Sequence, residues 1–303
     1  MAFYLILAII AGFCTALQSP TNATLSRYAG HLQATCISFG GGVICLAILA
    51  FTIGSGDITN ITDAAWWQLM GGIYGVFIVL AITFAIPKLG AALTSTILML
   101  GQISTAAVLD TLGLMGLQPV PLAPARVLGC VVVLAGIVLV YIGKRKQENR
   151  EIQTKGNTKV IIALLLAGAS GTVQAPTNNA LSSIVGSLEA SFTSFTIGFI
   201  FALVITLIAT KGKLLKNRQP GIKAWMLTGG IYGAAMVFIG MIAVPYLGSA
   251  ILMIATMLGQ LTGGMLIDGF GLLRTNKIKS NSWRWAGMAV IFAGVVITAL
   301  TKL

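Results

Sequence analysis

The segment Gln-Ser-Pro-Thr-Asn at residues 18–22 recurs as Gln-Ala-Pro-Thr-Asn at residues 174–178, which is 156 positions further along the chain. The segment Gly-Gly-Ile-Tyr-Gly at residues 71–75 recurs unchanged at residues 229–233, with an offset of 158. Polar, proline and glycine residues stay in register between the two halves, which shared apolar composition alone would not produce. The chain is therefore an internal duplication. Further matches are Ser38-Phe39 with Ser194-Phe195, Pro87 with Pro245, Met99–Gln102 with Met257–Gln260, Asp110 with Asp268, and Arg126 with Arg284.

The composition indicates a protein that resides in a membrane. Of the 303 residues, 57% are hydrophobic and only 9% are charged, whereas a soluble domain carries about 25% charged residues. A chain with so few charged residues cannot form the polar surface that a soluble protein needs, whereas an apolar surface is suited to lipid. The 36 glycines agree with this interpretation, because small residues let transmembrane helices approach closely.

Ten apolar runs are long enough to cross a bilayer as helices, which takes about 20 residues each. We expect a first five-helix repeat over 1–143, a polar cytoplasmic linker over 144–157 and a second repeat over 158–303. The first run has a counterpart in mid-chain, so we expect a retained span and not a signal peptide. The predicted spans are 3–24, 33–54, 66–86, 90–112, 124–143, 158–181, 190–210, 222–244, 247–270 and 283–301.

Five spans per repeat is an odd number, so two joined copies must enter the membrane from opposite faces. We call the face at which residue 1 lies the N-terminal face. The opposite face is called the basic face, because its loops receive 17 of the 19 Lys and Arg residues. Only Arg126 and Lys302 fall on the N-terminal face. Since cytoplasmic loops are rich in Lys and Arg, we expect both termini outside an inner membrane and the basic face in the cytoplasm.

The sequence disfavours several other classes of function. The net charge of +12 lies in short tracts between apolar runs, which is typical of membrane topology and not of nucleic-acid binding. The four cysteines lack metal-ligand spacing and the chain has one histidine, so we expect no metal and no cofactor. Neither a catalytic triad nor a phosphate-binding loop is visible, so we expect neither an enzyme nor an ATP-driven pump.

The motifs in helices 1 and 6, 3 and 8, and 4 and 9 resemble those of the drug/metabolite transporter superfamily, in particular the YdcZ-like branch related to EamA-type permeases. The resemblance covers both halves of the chain. It implies carriers of small metabolites or toxic compounds, often exporters, with a central cavity lined by helices 1 to 4 and 6 to 9. It also implies that helices 5 and 10 lie at the periphery. Small multidrug members carry a glutamate in the first helix, where this chain has Gln18 and Gln174.

Polar side chains within the spans are the candidate substrate-binding residues, because such groups must find partners or line water. Pro20 and Pro176 each remove a backbone donor, so we expect a broken helix near the middle of the membrane in each half. The alternative is that these side chains only join helices to one another. We place Ser38, Ser194 and Asn179 lower. The candidates are Gln18, Asn22, Tyr74, Gln102, Gln174, Asn178, Tyr232 and Gln260.

Ionisable residues are candidates for coupling transport to protons. Asp110 and Asp268 each precede an arginine, Arg126 or Arg284, so we expect an Asp–Arg ion pair in each half, with a structural role favoured. Two further residues, Glu189 and His31, break the symmetry of the repeats. Both could titrate, but each is predicted near an interface, where a solvated side chain is the simpler interpretation.

We therefore expect an all-α transmembrane protein of ten helices, built as two inverted five-helix repeats. The expected function is secondary transport of a small organic solute by alternating access, with export as the direction. Uncharged candidate residues favour a neutral or zwitterionic solute, or a weakly coordinated cation. A passive channel or facilitator and a lipid flippase are the alternatives. The sequence leaves open a monomer or a homodimer.

Overall fold

The structure is a computed structural model that describes residues 1–120, 123–148, 157–212, 221–274 and 281–300. Within these ranges every regular element is helical. Eight α-helices are present, together with short 3₁₀ turns in the connections. Their bounds are α1 Ala2–Ala29, α2 His31–Ile53, α3 Gly71–Leu112, α4 Pro124–Glu148, α5 Thr158–Val185, α6 Ser187–Thr210, α7 Gly229–Phe270 and α8 Ser282–Leu300.

Two of these helices each contain two of the predicted spans. α3 and α7 have 42 residues each, about 63 Å at 1.5 Å per residue, which is roughly twice the hydrocarbon thickness of a bilayer. In α7 the backbone leaves helical geometry at Gly248, with φ 74° and ψ 169°. The chain thus has ten crossing segments as predicted, and the break at Gly248 separates the eighth from the ninth.

The helix that precedes the predicted linker extends into it. α4 continues to Glu148, five residues into the predicted linker, while α5 begins at Thr158 where the second repeat was expected. Residues 149–156 lie outside the described part of the chain. The loop after α2 contains Asp57, whose pKa is lowered by hydrogen bonds that its carboxylate accepts from the Thr59 hydroxyl and backbone N–H.

Each helix of the first repeat packs mainly against a helix of the second. α1 packs along α7, α3 along α5, α2 against α6 and α4 against α8. The repeats are therefore not two separate bundles placed side by side, because the principal helix contacts run between them. This arrangement places the interface of the two inverted copies at the centre of the protein.

Glycines allow the closest of these contacts. A Cβ added to Gly12 of α1 would collide with the backbone of α7 at Thr256 and Gly259, and one added to Gly259 would collide with the Ile9 carbonyl. The same contact recurs in inverted form, where Gly168 of α5 meets Gly101 of α3. Small residues permit such backbone-to-backbone packing between membrane helices.

The peripheral pair α4 and α8 follows the same rule. Gly129 lies against the backbone at Gly294, and Gly136 against that at Gly287. Gly129 and Gly287 are counterparts in the repeated sequence, as are Gly136 and Gly294. The two contacts are therefore inverted images of each other, as expected of two copies around a pseudo-two-fold axis.

We predict that Gly259→Ala destabilises the protein by about 1–3 kcal/mol, because the new methyl group forces the α1 and α7 backbones apart. The fall is measured as a lower melting temperature of the purified protein in detergent. Gly264→Ala is the matched control, since a Cβ there meets nothing within 4 Å. Equal melting temperatures for the two variants would contradict close packing at Gly259.

Candidate functional site

A cavity of about 130 Å³ lies where α1, α3, α5 and α7 meet, with one further side chain from α2 and two from α6. Among the described residues, α4 and α8 contribute nothing to its lining. This agrees with the expected peripheral position of the fifth and tenth spans. The cavity is lined by six of the eight candidate residues: Gln18, Asn22, Gln102, Gln174, Asn178 and Gln260.

The cavity-lining residues of α1 and α5 lie on one face of each helix. Thr15, Gln18 and Asn22 follow a spacing of three and four residues, and Gln174 and Asn178 in α5 are four apart. Such spacing places side chains one above the other on a helix. The repeated Gln-x-Pro-x-Asn motif therefore presents its two amides to the cavity from both halves.

The two tyrosine candidates lie elsewhere. Tyr74 and Tyr232 are half-buried and are not among the described residues that line the cavity, whereas their neighbours Gly72, Gly75 and Gly233 are. The glycine side of each helix faces the cavity, and a residue one position from Gly75 or Gly233 is rotated by about 100° from that side. The prediction that the tyrosines face the cavity is thus not supported.

The expected helix breaks at the repeated prolines are absent. α1 and α5 are continuous helices with Pro20 and Pro176 inside them. The break instead lies at Gly248 in α7, three residues after Pro245. Because proline cannot donate to the carbonyl four residues earlier, Pro245 releases the Met241 carbonyl, which accepts a long hydrogen bond of 3.4 Å from the Asn179 amide.

One amide of the site is held by the opposite repeat. Gln174 donates from Nε2 to the Gly71 carbonyl at 2.9 Å, and a Cβ on Gly75 would lie 2.9 Å from the same nitrogen. In the inverted position, a Cβ on Gly233 would collide with the Gln18 amide nitrogen. The repeated Gly71–Gly75 and Gly229–Gly233 motifs therefore make room for the glutamines of the other half.

Buried polar atoms without partners concentrate at one end of the cavity. Asn178 is 0% exposed, and neither its Oδ1 nor its Nδ2 has a hydrogen-bond partner among the described residues. The Ser194 hydroxyl beside it, in a residue 2% exposed, has none either. Ser194 lines the cavity, although its sequence context gave it a lower place among the candidates. Such groups are uncommon in folded proteins and indicate a place for water or ligand.

The break in α7 is bridged by an aspartate from the first repeat. Asp110, 1% exposed, accepts hydrogen bonds from the backbone N–H groups of Ser249 at 2.8 Å and Ala250 at 2.9 Å. These are the first N–H groups after Gly248, so the carboxylate occupies the N-terminal end of a new helix segment. Negative charge is stabilised there, and the carboxylate satisfies two donors that the helix itself leaves unmet.

The predicted ion pair is present in the second half. Arg284 donates from Nη2 to the Asp268 carboxylate at 3.0 Å, and both side chains are buried. The corresponding pair of the first half involves Arg126, whose side chain lies outside the described residues. Neither Asp110 nor Asp268 is among the described residues that line the cavity.

The other two ionisable candidates lie away from the cavity. The simpler interpretation of Glu189 as solvated is wrong, because it is only 6% exposed and accepts a hydrogen bond from the Gly56 N–H at 2.9 Å. Glu189 thereby joins the loop after α2 to the start of α6. His31 is half-buried with its ring 5.4 Å from that of Phe84, and its Nδ1 has no partner in the described part of the chain.

The cavity is not symmetric along the membrane normal. In α3 its lining continues through Thr83 to Ile86, close to Lys88 on the basic face. At the equivalent end of α7, Met241 and Val244 are fully buried and absent from the described lining. Met241 packs there with Leu181, Val185 and Ala190. The lining of α3 therefore reaches further toward the basic face than the lining of the eighth span reaches toward the N-terminal face, while Leu252 and Met253 of the ninth span line the cavity on the latter side.

No charged side chain is among the described residues that line the cavity, and no metal-binding cluster of His, Cys, Asp or Glu occurs in the described part of the chain. The remaining lining is apolar, with Ile78, Val79, Leu252 and Met253 among its larger members. Pockets that bind organic molecules combine an apolar wall with a few directed polar groups. The chemistry available at this site is recognition of a solute by hydrogen bonds and apolar contact.

Two inverted helical repeats around a polar cavity define a membrane transporter fold. The family model described as "Putative inner membrane exporter, YdcZ" matches the chain twice, over residues 3–139 and 159–297. The chain belongs to this family of the drug/metabolite transporter superfamily, as the motifs predicted. Each match spans one repeat, so both copies retain the family pattern.

A solved crystal structure shares the fold. It has a TM-score of 0.68 and 15% sequence identity, and the similarity covers 98% of this chain and 96% of that one. At this identity the similarity concerns the fold alone. No curated protein matches the chain in sequence.

We predict that Asp110→Asn lowers the stability of the protein by about 1–3 kcal/mol, because one amide oxygen cannot replace two charged oxygens that accept from two buried N–H groups. Thermal unfolding in detergent measures the change. Asp63→Asn makes the same chemical substitution at an exposed loop position and should leave the melting temperature unchanged. An Asp110→Asn protein as stable as this control would rule out the bridge at Gly248.

Proposed function

We propose that the protein is a secondary transporter that moves a small organic solute across the inner membrane by alternating access. The observation that carries this proposal is the cavity between the inverted repeats, lined by paired amides from both halves. A site placed at the pseudo-two-fold axis can open to either side when the two halves exchange their conformations. The membrane transporter role of the family supports the proposal.

Export is the proposed direction, with both termini outside and the basic face in the cytoplasm. The charge distribution supports this orientation, with 17 of the 19 Lys and Arg residues assigned to the basic face. The cavity lining in α3 extends toward that face, and Met241 packs with apolar residues toward the other. Both features support entry of the solute from the cytoplasm.

The orientation predicts the reactivity of single cysteines in a variant lacking Cys14, Cys36, Cys45 and Cys130. Asp57→Cys, in the exposed loop after α2, should react with a membrane-impermeant maleimide in intact cells. Lys211→Cys, at the end of α6, should react only in inverted membrane vesicles. The opposite pattern, with Lys211→Cys labelled in intact cells, would overturn the proposed orientation.

Transport should depend on the paired glutamines. We predict that Gln18→Ala and Gln174→Ala each slow solute flux into proteoliposomes by about tenfold, because a lost hydrogen bond of about 1.4 kcal/mol corresponds to that factor. Gln118→Ala, in an exposed loop, is the control. Unchanged flux in both cavity variants would remove the glutamines from the site.

The same vesicles separate a carrier from a passive channel or facilitator. A carrier that exposes its site alternately shows saturable flux and counterflow, in which labelled solute accumulates transiently in vesicles preloaded with unlabelled solute. The closed packing around Met241 supports the carrier, because a channel needs a path that is open at both ends. Linear flux without counterflow would favour the channel.

A further inference from the structure

We propose that the second repeat holds the main recognition subsite, formed by Asn178 and Ser194, and that it takes an uncharged carboxamide-like group with a donor and an acceptor side by side. The inference rests on the proposed function and specifies its substrate class. It follows from three features of the cavity: its partnerless polar atoms, their asymmetry between the repeats, and its uncharged wall.

The Asn178 amide offers both kinds of hydrogen bond and uses neither within the described residues. Its Oδ1 accepts and its Nδ2 donates, so the matching edge of a ligand must present one donor and one acceptor. The Ser194 hydroxyl, which can do either, lies on the same side of the cavity, with both side chains against Gly71. Gln174 lies beside them, with one of its two Nε2 N–H groups donated to the Gly71 carbonyl.

The equivalent position in the first repeat is different. Only Oδ1 of Asn22 is buried without a partner among the described residues. Ser38, the counterpart of Ser194, is not among the described cavity-lining residues. The sequence motif is the same in both halves, so the difference arises from the conformation. In this state the asparagine whose two side-chain polar atoms are both fully buried and partnerless among the described residues is Asn178 of the second repeat, whereas Asn22 is 5% exposed.

The wall of the cavity selects against charge. Moving a charged group into an apolar site without a counter-charge is costly, and the described lining contains no charged side chain. A quaternary ammonium ion has no N–H donor and would leave Asn178 Oδ1 unmet. An amide, a urea, a lactam or the edge of a nucleobase would satisfy both atoms without bringing a charge.

The size of the cavity limits the group that enters. An apolar cavity of about 150 Å³ in another protein holds benzene, and this cavity has about 130 Å³. A ring of that size bearing a carboxamide therefore suits both the volume and the polar end. Benzamide is such a probe, methyl benzoate keeps the ring but lacks the donor, and benzamidine is cationic at neutral pH.

Binding of these three probes to the purified full-length protein, followed by melting temperature over a concentration series, tests the subsite. We expect benzamide to bind at least about tenfold more tightly than methyl benzoate or benzamidine. Asn178→Leu should abolish the preference for benzamide over methyl benzoate, and Ser194→Ala should reduce it. Asn60→Leu, at an exposed loop position, should retain it.

The stability of the ligand-free variants separates recognition from a structural role. Asn178→Leu replaces a partnerless buried amide by an apolar group of similar shape, so its melting temperature should equal or exceed that of the wild type. A large fall would mean that Asn178 holds helices together, and would contradict the proposal. Equal binding of benzamide and methyl benzoate to the wild type, or no binding of either, would also overturn it.

Failure of the subsite and failure of the transporter function remain distinguishable. Counterflow of any one solute in proteoliposomes establishes a carrier, whatever the probe preference in detergent. A carrier without preference for benzamide would refute the subsite alone. Preference for benzamide that is lost in Asn178→Leu, without counterflow of any solute that the protein binds, would support the subsite and contradict alternating access.

Discussion

The approach of two helix backbones without intervening side chains is the constraint on which the rest of the structure depends. Gly12 against Gly259 and Gly101 against Gly168 bring α1 onto α7 and α5 onto α3. In lipid, helices gain little by hiding apolar side chains, so close packing must supply the association. These contacts cross between the repeats, so they also place the amides of each half opposite the glycines of the other. The cavity is a consequence of that packing.

The same interface shows how buried polar groups are accommodated within the protein. Gln174 is held by the Gly71 carbonyl, and Asp110 by two N–H groups exposed by the break at Gly248. Both polar groups are met by backbone of the opposite repeat, which no single repeat could provide. Asn178 and Ser194 are exceptions among the described residues. A buried amide whose two polar atoms have no partner among the described residues is available to bind a ligand.

The sequence was sufficient for the ten crossings, the inverted repeat and six cavity residues, because polar residues that recur in register within apolar helices are characteristic of a duplicated membrane protein. The prediction of a broken helix at Pro20 and Pro176 was wrong. A proline leaves a helix unbroken when the surroundings accommodate the carbonyl that it frees. The break at Gly248 falls at the boundary predicted between the eighth and ninth spans, one residue after the expected start of the ninth. The positions of Tyr74 and Ser194 depend on how each helix is rotated, and a span of apolar residues on every side carries little information about rotation.

Duplication makes the two halves alike in sequence, yet they differ in this structure. Asn178 is fully buried without partners among the described residues, whereas Asn22 is 5% exposed. Val244 of α7 is fully buried and absent from the described lining, whereas its counterpart Ile86 of α3 lines the cavity. In an inverted repeat, exchange of the two conformations produces the opposite-facing state from the same contacts. After the exchange, the apolar packing would lie at the end of α3, and the fully buried, partnerless asparagine would be Asn22. A solute bound to Asn178 would be released when the second repeat adopts the conformation that the first repeat has here, in which the asparagine is less buried. Recognition and reorientation therefore depend on the same difference between the halves.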